Sequence, residues 1–368
     1  MSALSLLSLT NQLSNQLSNH LPKRLSQQLS PVTPFIAPYI DDQVLSNFYS
    51  GHVAAITGAG SGIGRGLALN LAAAGCDLAS SDINSKNLAE THALLKDYDV
   101  KVSTTELDVA DKEAVYRWAS DVQQQHGRVN FIFNNAGVAL SSTVEGESIE
   151  EIEWIMGINF WGMVYGTKAF LPFIKQSVKD SDGKQNGHII NISSLFGIIA
   201  QPAQSAYNAS KFAIRGFNES LRQELAIERS GVSITSVHPG GIKTNIANNA
   251  RGNESVSTLG MATGAKGLRS FNKLLKFDPN TAAQIILMAA ANDQARCLIG
   301  DDAKIIDLIQ RVFPSHYGQV MHKARLLAIK AKQKRMTKPN RFSKQPSSIK
   351  KTGLDAKADS IAKYSKGR

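Results

Sequence analysis

The chain has 368 residues, 42% of them hydrophobic, which excludes a largely disordered protein and allows one large domain or two small ones. Its net charge of +11 is typical of nucleic-acid-binding proteins, but the charge is not spread evenly along the chain. Residues 313–368 carry 15 Lys or Arg and two acids, which leaves −2 for the rest and indicates a nearly neutral domain with a basic tail.

Cysteine usage and hydropathy exclude further classes of protein. Cys76 and Cys297 are far apart and form no CxxC pair, so neither a disulfide framework nor a zinc site is predicted. The eight histidines form no HExxH pair, and no metal is expected. The most apolar run, residues 154–174, contains Asn159 and Lys168 and indicates a buried helix rather than a membrane span. We expect a cytoplasmic protein, with peripheral membrane contact as an open alternative.

Residues 1–50 are rich in Ser, Gln, Asn and Leu. Leucine recurs at every fourth position from Leu13 to Leu29, a spacing that permits a weakly amphipathic helix, but Pro22 interrupts it. We expect a mobile or loosely docked leader. An organelle-targeting segment is the alternative, because acidic residues are scarce here.

Beyond His52, short apolar runs alternate with longer helical segments. This alternation is what parallel strands joined by crossover helices require. The predicted fold class is α/β, a doubly wound, Rossmann-like parallel sheet forming a single catalytic domain over residues 51–313. The predicted strands are residues 53–56, 77–80, 131–133, 188–192 and 233–237.

A Gly-, Asn- and Ser-bearing insertion over residues 245–277 follows the last predicted strand, between turn signals at Pro239 and Pro279. Long irregular segments in compact domains often cover a substrate site, so a substrate loop is predicted here. Two further helices are expected at residues 281–291 and 303–313.

The strand ending at Ile56 runs into the sequence TGAGSGIG and then into helix-forming residues. Glycines here allow a tight turn and let a diphosphate approach the backbone amides at the start of the helix, where the helix dipole favours negative charge. Such a turn alone is a weak signal. The cofactor contacts predicted in it are Gly58, Ser61, Gly62, Ile63 and Gly64.

Asp82 lies 18 residues after Gly64, at the end of the second apolar run. A carboxylate in this place can accept hydrogen bonds from the adenosine ribose hydroxyls and would repel a 2′-phosphate. NAD is therefore predicted as the preferred cofactor. An ordinary surface-turn aspartate is the alternative, and Lys86 keeps use of NADP open.

Four later segments, together with the glycine-rich turn, make residues 51–312 similar to the short-chain dehydrogenase/reductase family. The segments are Asp108-Val109, Asn134-Asn135-Ala136-Gly137, Tyr207-Asn208-Ala209-Ser210-Lys211, and Pro239-Gly240 with Thr244. The resemblance implies an oxidoreductase that acts on a CH-OH group with NAD or NADP. It also implies cofactor contacts at Asp108, Val109, Asn135, Ala136, Gly137, Tyr207, Lys211, Pro239, Gly240, Ile242 and Thr244.

The spacing of Tyr207 and Lys211 makes chemical sense without the resemblance. A phenol has an ordinary pKa of about 10 and is a poor base at neutral pH. A lysine four residues later on a helix brings an ammonium alongside, which favours the phenolate. Tyr207 can then take a proton from an alcohol, or return one to a carbonyl, as hydride moves.

Two further residues match the family's catalytic set. Ser194 stands 13 residues before Tyr207, the family's spacing for its substrate-orienting serine, with Ser193 as the competing candidate. Asn159 matches the helix asparagine whose role in the family is to hold a water that links Lys211 to solvent, and a merely satisfied buried amide is the alternative. His238 is expected to be structural.

The residues that follow Ser194 and the NNAG segment indicate an apolar pocket. They are Leu195, Phe196, Ile198, Ile199, Val138, Leu140 and Val144. We expect a hydrophobic secondary alcohol or ketone, such as an acyl-chain, steroid-like or cyclic compound, unless these side chains simply pack the sheet. The resemblance implies a homodimer or homotetramer. A catalytically silent dinucleotide-sensing or scaffolding protein is the alternative function.

Residues 314–368 are predicted to form a basic helix followed by a disordered tail. Apolar positions from Tyr317 to Ala331 trace one helical stripe, and lysines and arginines occupy the remainder. Such a helix can lie on an anionic membrane surface or dock on its own core or a sister subunit. Nucleic acid is not an expected partner, because the lysine-rich remainder, residues 338–368, has only Phe342 and Tyr364 to stack on bases.

Overall fold

The computed structural model describes residues 40–273, 275–321 and 323. The predicted leader up to residue 39 and most of the predicted tail lie outside these residues. The chain divides into two units, residues up to Ser315 and those from His316 onward, and the first contains the whole sheet. No helix in the described ranges is long and apolar enough to cross a membrane.

The first unit alternates strands and helices along the chain. The strands are β1 Val53–Thr57, β2 Asp77–Asp82, β3 Val102–Glu106, β4 Phe131–Asn134, β5 Leu140–Ser141, β6 Gly187–Ile192, β7 Val232–Pro239, β8 Arg251–Gly252 and β9 Arg296–Ile299. The α-helices are α1 Asp42–Tyr49, α2 Gly62–Ala73, α3 Ser85–Leu95, α4 Lys112–His126, α5 Ile149–Met156, α6 Gly162–Asp180, α7 Ser205–Glu228, α8 Gly264–Asn272, α9 Pro279–Ala291 and α10 Asp301–Val312.

Seven strands form one parallel sheet in the order β3-β2-β1-β4-β6-β7-β9. One face of the sheet packs against side chains of α1, α2, α3 and α9, and the other against side chains of α4, α6 and α7. This arrangement confirms the doubly wound, Rossmann-like fold. The strand order reverses between β1 and β4, and ligands of such sheets bind at the carboxyl ends of the strands beside that point.

Two strands of the sheet, β3 and β9, were not predicted. The edge strand β3 has the sequence VSTTE, which lacks an apolar run, and its residues are partly exposed. The other edge strand, β9, contains only four residues. Edge strands bury less apolar surface than central ones, so their sequences carry a weaker strand signal.

The last residues of the predicted leader form α1, and this helix packs against the core of the first unit. Asp41 caps α1 by accepting from Gln43 N, and Leu45 and Tyr49 are buried in the core. The Tyr49 hydroxyl donates to the Leu287 main-chain oxygen in α9 at 3.0 Å. The helix has only eight residues, too few for its periodicity to be recognised.

Candidate active site

The glycine turn after β1 has a backbone conformation and close contacts that leave no room for larger side chains. Gly58 and Gly62 have φ values of +68° and +55°, in the left-handed region. A Cβ on Gly64 would collide with the Gly58 main-chain oxygen. Ser61 precedes α2 and makes no side-chain capping bond, so the first amides of this helix are available to an anion. Ile63 is buried beneath the turn.

Asp82 supports the glycine turn from the end of β2. Its Oδ2 accepts from Gly60 N at 2.8 Å, and its Oδ1 accepts from Asn84 N at 2.9 Å. The carboxylate is half-buried, and each oxygen keeps a further lone pair. Asp82 therefore lies at the end of β2 beside the glycine turn and helps to shape that turn.

Sequence reasoning missed Arg65, which follows the last glycine of the turn. Its guanidinium donates to the Gly60 main-chain oxygen at 2.6 Å and to Thr91 Oγ1 at 2.9 Å. It also pairs with Glu90 at 3.1 Å. An arginine at the start of a helix gives no sequence signal of such a role, because its partners are 5 to 26 residues away.

The NNAG segment is tied to the end of β1. Thr57 Oγ1 accepts from Asn135 N and Ala136 N at 3.0 and 3.1 Å. The Asn135 amide donates in return to the main-chain oxygens of Thr57 and Gly58. The predicted contacts from both motifs are thus brought to the same sheet edge.

Asp108 and Val109 follow β3 at this edge and have different environments. The exposed Asp108 carboxylate accepts from Ala110 N at 2.9 Å. Val109 is buried, and its side chain lies so close to Gly162 that a Cβ there would be 2.8 Å from Val109 Cγ2. Of these two residues, Asp108 therefore has its side chain exposed to solvent, and Val109 does not.

Tyr207 and Lys211 lie on α7, and both are buried. Lys211 Nζ is 5.8 Å from the centre of the Tyr207 ring and donates to the Ile192 main-chain oxygen at 3.1 Å. Burial lowers the pKa of Lys211 from 10.5 to about 8. Burial also raises the pKa of Tyr207, and a hydrogen bond with Ser194 lowers it by a smaller amount. Burial is therefore the largest influence on the pKa of both side chains.

The two serines at the end of β6 differ in their contacts. Ser193 Oγ donates to the Lys211 main-chain oxygen at 2.8 Å, so this hydroxyl is committed to α7. Ser194 begins the short helical turn Leu195–Gly197, and its Oγ accepts from Phe196 N at 3.1 Å. Of the two serines, Ser194 is the one whose hydroxyl interacts with Tyr207 and lowers the pKa of that phenol.

Asn159 lies in a π-helical segment, Gly157–Trp161, which joins α5 to α6 and interrupts the continuous helix that was predicted. Its Oδ1 accepts from Val138 N at 2.8 Å, and its Nδ2 donates to Val138 O and Ser210 Oγ. Both amide hydrogens are used, so a water linking Lys211 to solvent would have to contact an Asn159 oxygen. Gly137 packs here, since a Cβ on it would be 3.1 Å from Asn159 Oδ1 and 3.4 Å from Lys211 Nζ.

This set of motifs on one sheet edge agrees with a comparison of the whole chain with known families. The family model described as short chain dehydrogenase matches residues 52–255, more than half of the chain. The chain belongs to the short-chain dehydrogenase/reductase family. Members of this family use NAD or NADP, act on small molecules and usually form oligomers.

Named relatives cover much of the family domain. SadH of Mycobacterium tuberculosis, named as an oxidoreductase, is 44% identical over 256 residues, which are 69% of this chain and 88% of SadH. Estradiol 17-beta-dehydrogenase 11 of Homo sapiens is 35% identical over 169 residues, which are 46% of this chain and 54% of that protein.

Solved structures of the family share the fold. A short-chain dehydrogenase/reductase from Burkholderia phymatum in complex with NAD matches with a TM-score of 0.65 and 25% identity, covering 72% of this chain and 94% of that chain. A short-chain dehydrogenase from Mycobacterium paratuberculosis bound to NAD matches with a TM-score of 0.58 and 25% identity, covering 70% and 98%.

The family's PG segment forms a fixed loop after β7. Gly240 N donates to the Ile299 main-chain oxygen at 2.9 Å, and Gly241 N donates to Asp302 Oδ2 at 2.8 Å. Asp302 lies in the first turn of α10 and was missed, because its role depends on a contact 61 residues away in the chain.

Beyond Pro239, the same loop reaches the glycine turn. Ile242 is buried and forms an isolated bridge with Phe277, so the segment just before the predicted substrate loop meets the last residue of that loop. Thr244 lies against the turn, because a Cβ on Gly62 would be 3.0 Å from Thr244 Cγ2.

An apolar cluster surrounds Tyr207. Of the residues predicted to line a pocket, Val138, Leu140 and Phe196 belong to this cluster, together with Ile155, Trp154 and Ile246, which were not predicted. Leu195, Ile198 and Ile199 are buried, whereas Val144 is 76% exposed. The predicted substrate loop contains Arg251, whose guanidinium carbon lies 3.8 Å from the centre of the Trp154 ring.

Within the described ranges, no three His, Cys, Asp or Glu side chains come together as a metal site. The groups gathered around Tyr207 are hydroxyl, amide and ammonium groups, of which the hydroxyls and the ammonium can exchange protons.

Proposed function

We propose that this protein interconverts a hydrophobic secondary alcohol and its ketone, with NAD as the preferred cofactor and NADP as the alternative. The observation that carries the proposal is the buried group of Ser194, Tyr207 and Lys211 beside the glycine turn. The nicotinamide of the bound cofactor would accept hydride from the alcohol carbon or return it to the carbonyl carbon.

The residues around the glycine turn fit a dinucleotide. The glycines leave a cradle that side chains would fill, and the uncapped start of α2 suits a diphosphate. Asp82 stands beside Gly60, where its remaining lone pairs suit the ribose hydroxyls. We assign Ile242 and Thr244 to the carboxamide of the nicotinamide, in line with the family's arrangement.

Proton transfer is assigned to Tyr207. During oxidation, the phenolate oxygen takes the hydroxyl proton of the alcohol, and during reduction the phenol returns it to the carbonyl oxygen. Ser194 holds the substrate oxygen beside the phenol. Lys211, with a pKa of about 8, is largely protonated at neutral pH and supplies positive charge behind the ring.

The apolar cluster around Tyr207 supports a hydrophobic substrate. Val138, Leu140 and Phe196 present apolar side chains around Tyr207, and such a lining suits a hydrophobic substrate better than a sugar or polyol. The name of one relative, an estradiol dehydrogenase, agrees with this class of substrate.

A substrate screen followed by the absorbance of reduced cofactor tests the proposal. The panel contains cyclohexanol, a long-chain secondary alkanol and estradiol, with sorbitol as the polar control, each with NAD and NADP in parallel. We expect turnover of an apolar alcohol, faster with NAD than with NADP. Turnover of sorbitol alone would contradict the apolar pocket, and NAD binding without any turnover would favour the dinucleotide-sensing or scaffolding alternative.

We further propose a cytoplasmic homodimer or homotetramer. Trp161 and Phe212 are 46% and 39% exposed, and apolar surface of this kind suits a subunit interface. Equilibrium sedimentation of the full chain tests this proposal, since a monomer at micromolar concentration would contradict it. Membrane contact through the tail remains a separate proposal, and co-sedimentation of the full chain and of a chain ending at Phe313 with anionic liposomes would distinguish it.

A further inference from the structure

His238 is fully buried near the end of β7 and contacts the segment that carries Ser194. Its Nδ1 lies 2.9 Å from the Ser194 main-chain oxygen, and its Nε2 lies 3.0 Å from Ser236 Oγ. Both ring nitrogens therefore have a partner inside the protein. Pro239, the next residue, begins the loop assigned to the nicotinamide.

The contacts determine the tautomer of this ring. Burial lowers the pKa of His238 to about 4, so the imidazole is neutral at physiological pH. A carbonyl oxygen can only accept, so Nδ1 carries the hydrogen and donates to Ser194. Nε2 then accepts from the Ser236 hydroxyl. The more distant charges of Arg215, Arg296 and Asp307 have smaller effects on this pKa than burial has.

The bond from His238 restrains the peptide group of Ser194. The same carbonyl accepts from Gly197 N at 2.9 Å, so two donors fix its direction. On the preceding residue, Ser193 N donates to Val237 O, and Ser193 Oγ donates to Lys211 O. Rotation of the Ser194 carbonyl would rotate its Cα and move the hydroxyl that lies beside Tyr207.

We propose that His238 is a positioning residue that holds the Ser194 hydroxyl in register with Tyr207 through the Ser194 carbonyl. This inference rests on the proposed function, because it assigns His238 a part in that same site. The bond between His238 and Ser194 also joins the substrate-orienting serine to β7, the strand that leads into the loop assigned to the nicotinamide. A histidine that merely fills the core would have no such effect on catalysis.

A pair of conservative variants separates the two ring nitrogens. In His238→Asn, the side-chain amide nitrogen lies near the position of Nδ1 and can still donate to Ser194. In His238→Gln, the amide lies near Nε2, so the bond to Ser194 is lost while contact with Ser236 is kept. Ser236→Ala is the matched control, because it removes the other partner of the ring and leaves the Ser194 contact intact.

With cyclohexanol as substrate, or the panel member with the highest rate, His238→Gln should lower kcat about 10- to 100-fold. This loss is smaller than the one typical of deleting an oriented donor. His238→Asn and Ser236→Ala should stay within about threefold of wild type. The dissociation constant for NAD should not change in any of the three variants.

The pH profile gives a readout that a loss of packing would not change. The Ser194 hydroxyl lowers the pKa of Tyr207, so displacing it should raise that pKa. Alcohol oxidation by His238→Gln should then reach half its maximum at a higher pH than oxidation by wild type or Ser236→Ala. In a background of Ser194→Ala, His238→Gln should cause almost no further loss, because the two residues act as one unit.

Equal rates and pH profiles in His238→Gln and Ser236→Ala would overturn the inference, as would full additivity with Ser194→Ala. Equal losses in His238→Asn and His238→Gln at unchanged melting temperature would overturn it as well. If His238→Gln does not fold, His238→Leu replaces it in the same cycle. Normal activity of Ser194→Ala would refute the proposed function itself, which is a different result.

Discussion

Lys211 places its ammonium nitrogen 5.8 Å from the centre of the Tyr207 ring while both side chains are buried. Burial disfavours charge on each group, so it raises the pKa of the phenol and lowers that of the ammonium. The pair is therefore sensitive to any charge brought next to it. A positively charged nicotinamide ring beside Tyr207 would favour the phenolate that alcohol oxidation requires.

Lys211→Met should remove activity and raise the free energy of unfolding near neutral pH. The lowered pKa, about 8 against 10.5, means that the folded protein holds this ammonium at a cost of about 3 kcal/mol. Methionine avoids that cost but leaves the Ile192 carbonyl without its donor, which costs about 1 kcal/mol. Urea unfolding near neutral pH should show a net gain of about 2 kcal/mol.

This gain should shrink as the pH rises. The folded pKa lies below the unfolded value, so the unfolded wild-type chain binds the additional proton between pH values of about 8 and 10.5. Wild-type stability therefore rises across that window and approaches that of the variant. A stability difference that stays constant from neutral to alkaline pH would argue against a buried ammonium.

Two substitutions of Asp82 should change cofactor binding in distinguishable ways. Asp82→Asn keeps an oxygen for the Gly60 amide but removes the charge, so the ratio of kcat/KM for NAD to that for NADP should fall about tenfold or more. Asp82→Ala also removes support from the turn and should weaken binding of both cofactors. The exposed Asp97→Ala is the control, and unchanged selectivity in Asp82→Asn would contradict the ribose assignment.

Two glycine substitutions in helices should have opposite effects on stability. Gly64→Ala forces a Cβ against the Gly58 oxygen and should cost about 1–3 kcal/mol while weakening NAD binding. Gly216→Ala in α7 meets nothing within 4 Å and should stabilise the protein by up to about 1 kcal/mol. Thermal unfolding and NAD titration of both variants check this, and comparable melting temperatures would be inconsistent with the crowded turn.

Tyr49→Phe should destabilise the domain although it lies outside the family match. It removes the buried donor to the Leu287 carbonyl, which should lower the free energy of unfolding by about 1 kcal/mol. Tyr116→Phe on the exposed face of α4 is the matched control and should have little effect. Identical unfolding curves for the two variants would mean that this hydrogen bond between α1 and α9 does not stabilise the domain.

The sequence predicted what depends on local pattern. The glycine turn, the spacing of Tyr207 and Lys211, and the central strands all lie in short segments with a defined order. The π-helical segment at Asn159 was not predicted, because it depends on hydrogen bonds to Val138 and Ser210 in other elements. The roles of Arg65 and Asp302 were missed for the same reason, since their partners are brought together only by the sheet. Local pattern therefore pointed to the candidate reacting residues but not to the residues that contact and support them.

Removal of the Tyr207 hydroxyl tests the central claim most directly. Tyr207→Phe retains the ring that packs against Phe196 but has no proton to transfer, so turnover should fall about 10²- to 10⁴-fold. The dissociation constant for NAD and the melting temperature should stay close to those of wild type and of Tyr116→Phe. A Tyr207→Phe protein that oxidises alcohol at a near-native rate would contradict the account.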